Sequence, residues 1–254
     1  MLRVCCVQEA VIKGNQAVFL VAGSGGATAV TRGVNGYIPY GTVSNVQNTC
    51  TLLEYHAPFE RTGFNVFASQ GDQRRIMQMS SVAVLNRNID QLIINQLDTA
   101  TQTTGSAVKA SLNLVVKSFT ILGNQEVPVW EEDKMFAVVT PSFIGYLMQV
   151  TEFSSADYVD VKPFVGPAKK MRRWMGINWF THPNLTGVGT SSEKCYMFHR
   201  DSMGHAANSK EMKVEVDYDR KQDLSWSRAT LFHNAKLLQS AGIVQMIHDG
   251  SEYT

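Results

Sequence analysis

Two early stretches, Val11 to Val21 and Thr51 to Phe67, interleave apolar with polar residues and are punctuated by the turn formers Gly14, Asn15 and Gly63. Alternation of this kind predicts strands. Between them Gly23, Ser24, Gly25, Gly26, Gly33 and Gly36 lead into Tyr37-Ile38-Pro39. No part of this excursion carries a periodic apolar face, so the chain is expected to run out and back as a projecting two-stranded loop.

At Asp72 the period changes. Ile76, Met79, Ala83, Ile89, Leu92, Ile93 and Leu97 recur at three- and four-residue steps, and neither Gly nor Pro interrupts the chain before Asp98. The spacing predicts one helix, with Asp72 as its cap. It would span about 40 Å, longer than an average helix, and would act as a spine. Its polar positions are mostly Gln, Asn, Ser and Arg, so the outer face carries few charges and suits a position beneath neighbouring subunits.

After the turn-rich Thr99 to Ser106, a second helix is predicted over Val108 to Leu122, stopping at Gly123-Asn124. Lys134 to Thr140 reads as a short apolar strand, and Pro141-Ser142 starts a helix through Phe143, Ile144, Leu147, Met148 and Val150. Further strands are predicted at Arg172 to Phe180, Lys194 to Phe198 and Met212 to Tyr218, with a loop at His182 to Gly189. Ser225 to Leu238, a turn at Ser240 to Gly242 and a strand at Ile243 to Ile247 would form a hairpin-like return against the spine. The whole predicts an α+β protein with no internal repeat or extended linker.

Composition narrows the function. The 254 residues are 44% hydrophobic but only 18% charged, with a formal net charge of +1; soluble domains average roughly 25% charged. Such a balance gives no basic field of the kind tight nucleic-acid readers use. Cys5 and Cys6 are adjacent, Cys50 and Cys195 are isolated, and the absence of paired spacing predicts reduced thiols and no metal or disulfide framework. There is no charged-then-apolar leader and no run of about 18 apolar residues, so neither a cleaved signal nor a membrane span is expected.

Candidate chemistry is sparse. The glycines at Gly23 to Gly26 lack the Gly-Lys-Ser/Thr of a phosphate loop, since Ala27, Thr28 and Ala29 follow. His182, His199, His205 and Cys195 offer metal donors without paired spacing. Ser202, His205 and Asp201 form a hydrolase triad only on paper, without a nucleophile elbow. Asp217, Asp219 and Asp223 lie beside Arg220 and Lys221, a charge-mixed turn more than a cation site. Lys169, Lys170, Arg172 and Arg173 form the one dense basic run and read as a solvated turn before a strand. Trp174, Trp179, Trp226 and Phe180 carry large apolar area for the core or for subunit contacts. No catalytic, cofactor-binding or metal residue is assigned, and no cofactor is expected.

The order of projecting loop, spine, central α/β region and returning strands resembles the major capsid proteins of tailed bacteriophages. The likeness is carried by TRGVNGYIP in the loop, FASQGDQRRIMQMSSVAVLNRNIDQL into the spine and EEDKMFAVVTPSFIGYLMQ in the central region. WFTHPN at Trp179 to Asn184, CYMFHRDSMGHA and the closing SAGIVQMIHDG extend it over nearly the whole chain. The resemblance implies the Hong-Kong-97-type capsid fold. Residues 1–10 would be a short N-terminal segment and 11–70 an extended loop. A peripheral domain with the spine helix would take 71–103 and 221–254, and an axial domain 104–220.

It further implies a structural protein, not an enzyme, that self-assembles as hexamers and pentamers into an icosahedral shell enclosing double-stranded DNA. The expected location is the virion capsid, assembled in the host bacterial cytoplasm. Scaffolding, portal and decoration proteins are the implied partners, with weak non-specific contact to DNA and none to membrane. Little chain precedes the loop, so a long N-terminal arm is not expected. Some members crosslink a loop lysine to an asparagine of another subunit; Lys13 lies near the loop start, but no partner is identifiable. Arg200 and Asp201 are expected at an axial subunit edge with the His182 to Ser192 loop. The alternatives are a tail-tube or decoration subunit, or an α/β metal-dependent enzyme built on the His182 to His205 region.

Overall fold

A computed structural model describes residues 2–9, 12–23, 28–41, 43–69, 71–154, 172–208 and 213–253. A 3-10 turn at Leu2–Cys5 leads to β1 (Val7–Glu9), then β2 (Ile12–Lys13) and β3 (Gln16–Val21). The chain returns as β4 (Val46–Thr51), which pairs antiparallel with β3, while β2 pairs with the other edge of β3. The predicted out-and-back ribbon is therefore present. Its base is held by Ala17, Phe19 and Cys50 packed on Ala206. Phe19 lies so close over Gly204 that a Cβ there would come within 2.8 Å of the ring.

β5 (Leu53–Thr62) follows, but the predicted strand to Phe67 stops short: Gly63–Ala68 is a helix, α1. The Thr62 hydroxyl accepts the Asn65 N–H at 3.2 Å, a local cap that competes with strand continuation. α2 then runs over Gln73–Leu97, with Asp72 accepting the Arg75 N–H at 3.1 Å. Its buried seam is Met77, Ser81, Leu85, Ile89, Ile93 and Leu97, at four-residue steps. The expected stripe was wrong in the first half of the helix, where Ile76 and Met79 are 50% and 64% exposed and Ala83 also faces out. Ser81 belongs to the polar positions expected to form the outer face. It instead meets Ser227 Oγ at 3.4 Å and bonds back to the Met77 carbonyl, so two small residues let helix and sheet approach closely.

The rest of the chain supplies β6 (Gln102–Thr103), α3 (Leu112–Asn124), β7 (Met135–Val139), α4 (Pro141–Leu147) and α5 (Thr151–Ser154). Next come β8 (Arg172–Trp174), β9 (Ile177–Thr181), β10 (Glu193–His199), β11 (Met203–Ala207) and β12 (Lys213–Asp219). The long β13 (Leu224–Leu237) and the final β14 (Ile243–His248) complete it. One sheet runs β1-β11-β13-β12 with β5 on β13; the other runs β6-β14-β10-β7-β9-β8. α2 covers the face of the first sheet on which Ser225, Ser227, Ala229, Leu231, His233 and Ala235 are buried.

Three expectations are corrected by these sheets. Arg172 to Phe180 is a hairpin and not one strand, because Met175 (φ 52°) and Gly176 (φ 72°) make the left-handed turn that joins antiparallel neighbours. The second helix starts at Leu112 behind a Ser111 cap and continues through Gly123 to Asn124. The terminal return is not a hairpin: β13 and β14 lie in different sheets. β13 alternates buried with less buried residues because only one face is covered, whereas β14 is almost continuously buried in mid-sheet between β6 and β10.

Gly204→Val is expected to push Phe19 off the first sheet and release the ribbon, at about 1–3 kcal/mol for overpacking. Limited proteolysis should then cut between β3 and β4 faster than in the wild type. A second expectation concerns His205 and His233, which are 2% and 0% exposed with rings 5.7 Å apart. Burial, seconded for His205 by His233 and for both by Arg3, pushes each pKa down from 6.5 to about 4. The fold thus favours the neutral rings. Their contribution is intact above pH 6.5 and is lost as pH falls from 6.5 through about 4. The melting temperature should drop across that window, and His233→Phe should flatten the drop.

Candidate functional site

Three carboxylates that the sequence did not single out tie distant elements together: two sit on or at the end of α2 and reach the N-terminal turn and the second sheet, and one lies within the second sheet. Asp90, the only acid in the helix, accepts the Leu2 N–H at 2.8 Å and faces His182 Nε2 at 3.5 Å. Burial opposes its ionisation, yet the hydrogen bonds of His182 and Leu2 outweigh this and hold its pKa low. Asp98, at the helix end, accepts Thr186 Oγ1 at 2.5 Å, Tyr196 OH at 2.6 Å and Lys194 Nζ at 3.0 Å. Gln245 on β14 donates to the Asp98 and Ala100 carbonyls, both at 2.9 Å, satisfying groups the helix terminus leaves open.

Glu193 is the third. Fully buried at the start of β10, its Oε2 accepts Ser142 Oγ at 2.5 Å and Thr140 Oγ1 at 2.6 Å and lies 2.9 Å from His248 Nε2. Its Oε1 accepts the Gly189 N–H at 2.8 Å. Burial raises its pKa, but these donors and His248 more than offset that and keep it ionised. Thr140 also caps α4 by accepting the Phe143 N–H. Ser142, His248 and Glu193 bring a nucleophile, a base and an acid together, but not as a relay. Both Ser142 and Glu193 address Nε2, while Nδ1 of His248 has no partner. The arrangement is a structural lock.

The residues weighed as candidate metal donors or as a paper triad are dispersed. His182 faces Asp90, His199 accepts the Asp201 N–H at 3.3 Å, and His205 stacks near His233. Cys195 accepts the Thr140 N–H at 3.4 Å, and burial pushes its thiol up to about 12. Among the described residues no group of three or more His, Cys, Asp or Glu is placed to hold a metal. All four cysteines are buried and free. No hydrogen bond joins Ser202 to His205 among the described residues, and Asp201 pairs with Lys134 at 3.5 Å. Asp217 and Asp219 accept backbone N–H groups of Tyr218 and Lys221, and Asp223 accepts the Tyr218 hydroxyl.

Trp174 and Trp179 are core residues, 5.7 Å apart and flanked by Phe153 and Phe143; Phe180 packs at the core edge. Trp226 is half-buried on the uncovered face of the first sheet, beneath the Arg228 guanidinium at 5.7 Å. Arg173 pairs with Glu132 at 3.2 Å and Asp133 at 2.7 Å. Lys169, Lys170 and most of the Gly23 to Gly26 stretch lie outside the described residues, as do the side chains of Lys13 and Arg172. Arg200 and Asp201 fall at the opposite end of β10 from the His182 to Ser192 loop, in the passage from one sheet to the other. The expectation that they share an edge with that loop is therefore corrected: a seven-residue strand separates them.

What remains exposed is surface for other proteins. Residues 28–41 are exposed throughout, with Val34, Tyr37 and Tyr40 at 106%, 80% and 98%. Three backbone hydrogen bonds, Gly33 to Tyr37, Gly36 to Gly33 and Ser44 to Gly23, shape this excursion. A two-sheet body with a long apolar-tipped ribbon that is left exposed among the described residues defines a structural subunit.

The comparisons agree. The family model described as phage capsid protein matches residues 1–249, and the chain belongs to that family. No curated protein sequence matches it. Among solved structures it resembles a Mycobacterium phage Che8 protein at 18% identity and TM-score 0.69, covering 92% of this chain and 85% of that one. The capsid of cyanophage P-SCSP1u matches at 11% identity and TM-score 0.70, over 96% and 86% of the two chains. The capsid of a native GTA particle matches at 14% and 0.68, over 98% and 89%. The fold is the α+β fold of phage capsids, and the protein is a structural shell protein of the virion.

Glu193→Leu is expected to leave Thr140, Ser142 and His248 without their shared acceptor and to cost about 1–3 kcal/mol, as leaving buried polar groups unsatisfied does. Chemical denaturation of the purified chain measures it; a loss under about 1 kcal/mol would mean the lock carries little of the fold.

Proposed function

We propose that this protein is the major capsid protein of a tailed phage, tiling an icosahedral shell as hexamers and pentamers around double-stranded DNA. Residues 11–70 act as the extended loop lying over an adjacent subunit. Residues 71–103 and 221–254 act as the peripheral domain, with α2 as its spine, and residues 104–220 as the axial domain. Assembly takes place in the host bacterial cytoplasm, with scaffolding, portal and decoration proteins as the partner classes.

The observation that carries this reading is the ribbon. Its base is seated by Phe19 over Gly204, while Val34, Tyr37, Ile38 and Tyr40 are exposed among the described residues. Aromatic and aliphatic side chains so placed are anchors for a second surface, and ordering a segment this long is costly unless neighbours compensate. The axial loop supports the same reading. Gly187 and Gly189 hold φ of 78° and 82°, and a Cβ at Gly187 would meet the Ser192 carbonyl at 2.6 Å, so only glycine gives this loop the tight shape it would present to the capsomer centre.

Replacing Gly23–Tyr40 by a short Gly-Ser turn should leave a soluble subunit that no longer closes shells. Negative-stain electron microscopy of wild-type and deleted protein decides the matter. Shells or capsomer rings from the wild type alone support the proposal, and normal particles from the deletion would remove the loop from it.

A further inference from the structure

The outward face of α2 has a composition that neither the core nor the ribbon explains. Its sequence, QRRIMQMSSVAVLNRNIDQLIINQL, contains three arginines, no lysine and a single carboxylate. That carboxylate, Asp90, is turned inward and 7% exposed. Opposite the buried seam, Arg75, Met79, Ala83, Arg87, Gln91 and Asn95 follow one another at four-residue steps, all exposed. Four-residue spacing places them on one line along the helix, about 30 Å from first to last. Arg74, Gln78 and Asn86 stand exposed beside it. Gln91 Nε2 donates to Asn95 Oδ1 at 3.0 Å, which orders the far end of the row.

Arg74, Arg75 and Arg87 form no ion pair among the described residues, although the same chain pairs Arg173 and Arg228 with its own acids. Asp72, at the helix start, is engaged as the cap through the Arg75 N–H. The row thus offers guanidinium donors at Arg75 and Arg87 and amide donors at Gln91 and Asn95, with the apolar Met79 and Ala83 between the two arginines and no carboxylate among them. Guanidinium matches phosphate oxygens in a bidentate manner, and amide side chains also serve phosphate and sugar. Its length is close to one turn of duplex DNA, about 34 Å.

We infer that this row of α2 is a phosphate-facing surface against which duplex DNA rests inside the shell. The inference rests on the shell reading above and deepens it by naming the face that meets the DNA. Three arginines per copy make a weak, sequence-independent contact, in keeping with the chain's net charge of +1. Repetition over many copies supplies the strength.

The test uses unassembled full-length protein, titrated up to about 100 μM so that the weak contact of a single copy is within reach, and a fluorescein-labelled duplex of mixed sequence, with anisotropy followed from about 50 to 200 mM salt. Wild-type binding should weaken steeply with salt. The Arg75→Gln/Arg87→Gln double variant should bind more weakly, with a log–log slope shallower by about two, since each lost phosphate contact removes roughly 0.9. Arg228→Gln, on the other face of the sheet that α2 covers, should keep the wild-type slope. Thermal unfolding checks that the variants are folded. An unchanged slope in the double variant, or no wild-type binding at the lowest salt, would overturn the inference. So would displacement of the duplex by polyglutamate as effectively as by unlabelled DNA, which would assign the row to an acidic polypeptide. Electron microscopy of the same preparations separates the two readings. Shells from a wild type that binds no DNA count against this face alone, while absence of shells counts against the shell reading itself.

Discussion

The seat of α2 on β13 is the contact on which the rest of the structure depends. A helix of 25 residues cannot hold its place through one apolar stripe unless the surface beneath matches its twist. β13 provides that surface with small residues, Ser225, Ser227 and Ala229, where the helix begins, and with Leu231 and His233 farther along. Close approach at one end and bulk at the other set the helix along the strand. Burial of Leu85, Ile89, Ile93, Ile94 and Leu97 then contributes about 1.5–3 kcal/mol each.

A helix so placed would still be free to swing relative to the second sheet. Asp90 and Asp98 remove that freedom. One binds the N-terminal turn and His182; the other gathers donors from β10 and the loop before it, while Gln245 closes the helix end from β14. Glu193 repeats the device inside the second sheet, drawing α4, β14 and the glycine loop around one carboxylate. Directional bonds to buried charges are strong because the low-dielectric surroundings leave them no alternative partner. These bonds join α2, the second sheet and the loop before β10 into one body, from which the ribbon projects.

The same bonds explain the inert chemistry of the interior. The serine, histidine and glutamate of the lock are spent on one another, and the cysteines sit where burial holds them as thiols. The chain's distinct faces are an apolar-tipped ribbon, a loop of left-handed glycines and an arginine-bearing helix row.

Much of this was legible from residue order alone. Period-two and period-3.6 patterns located the longer strands and helices, because each buries one face and must repeat at its own geometric interval. Short β1, β4, β6 and β11 and the short helices α1 and α5 carried too few residues to show a period. Asp72 announced the start of α2, and the glycines with Tyr37-Ile38-Pro39 announced the ribbon. Pattern could not decide what an individual polar residue would meet. Ser81 looked like a surface residue and is buried against Ser227, while Ile76 and Met79 looked buried and are not. Asp90, Asp98 and Glu193 lie 88 to 98 positions or 51 to 55 positions from side chains they hold, distances at which sequence carries no pairing signal. β13 and β14 are neighbours in sequence and belong to different sheets, since which sheet a strand joins depends on the partners already waiting there. Residue order determined the elements and their faces; only tertiary structure decided their partners, because pairing is set by long-range packing and burial that no local period encodes.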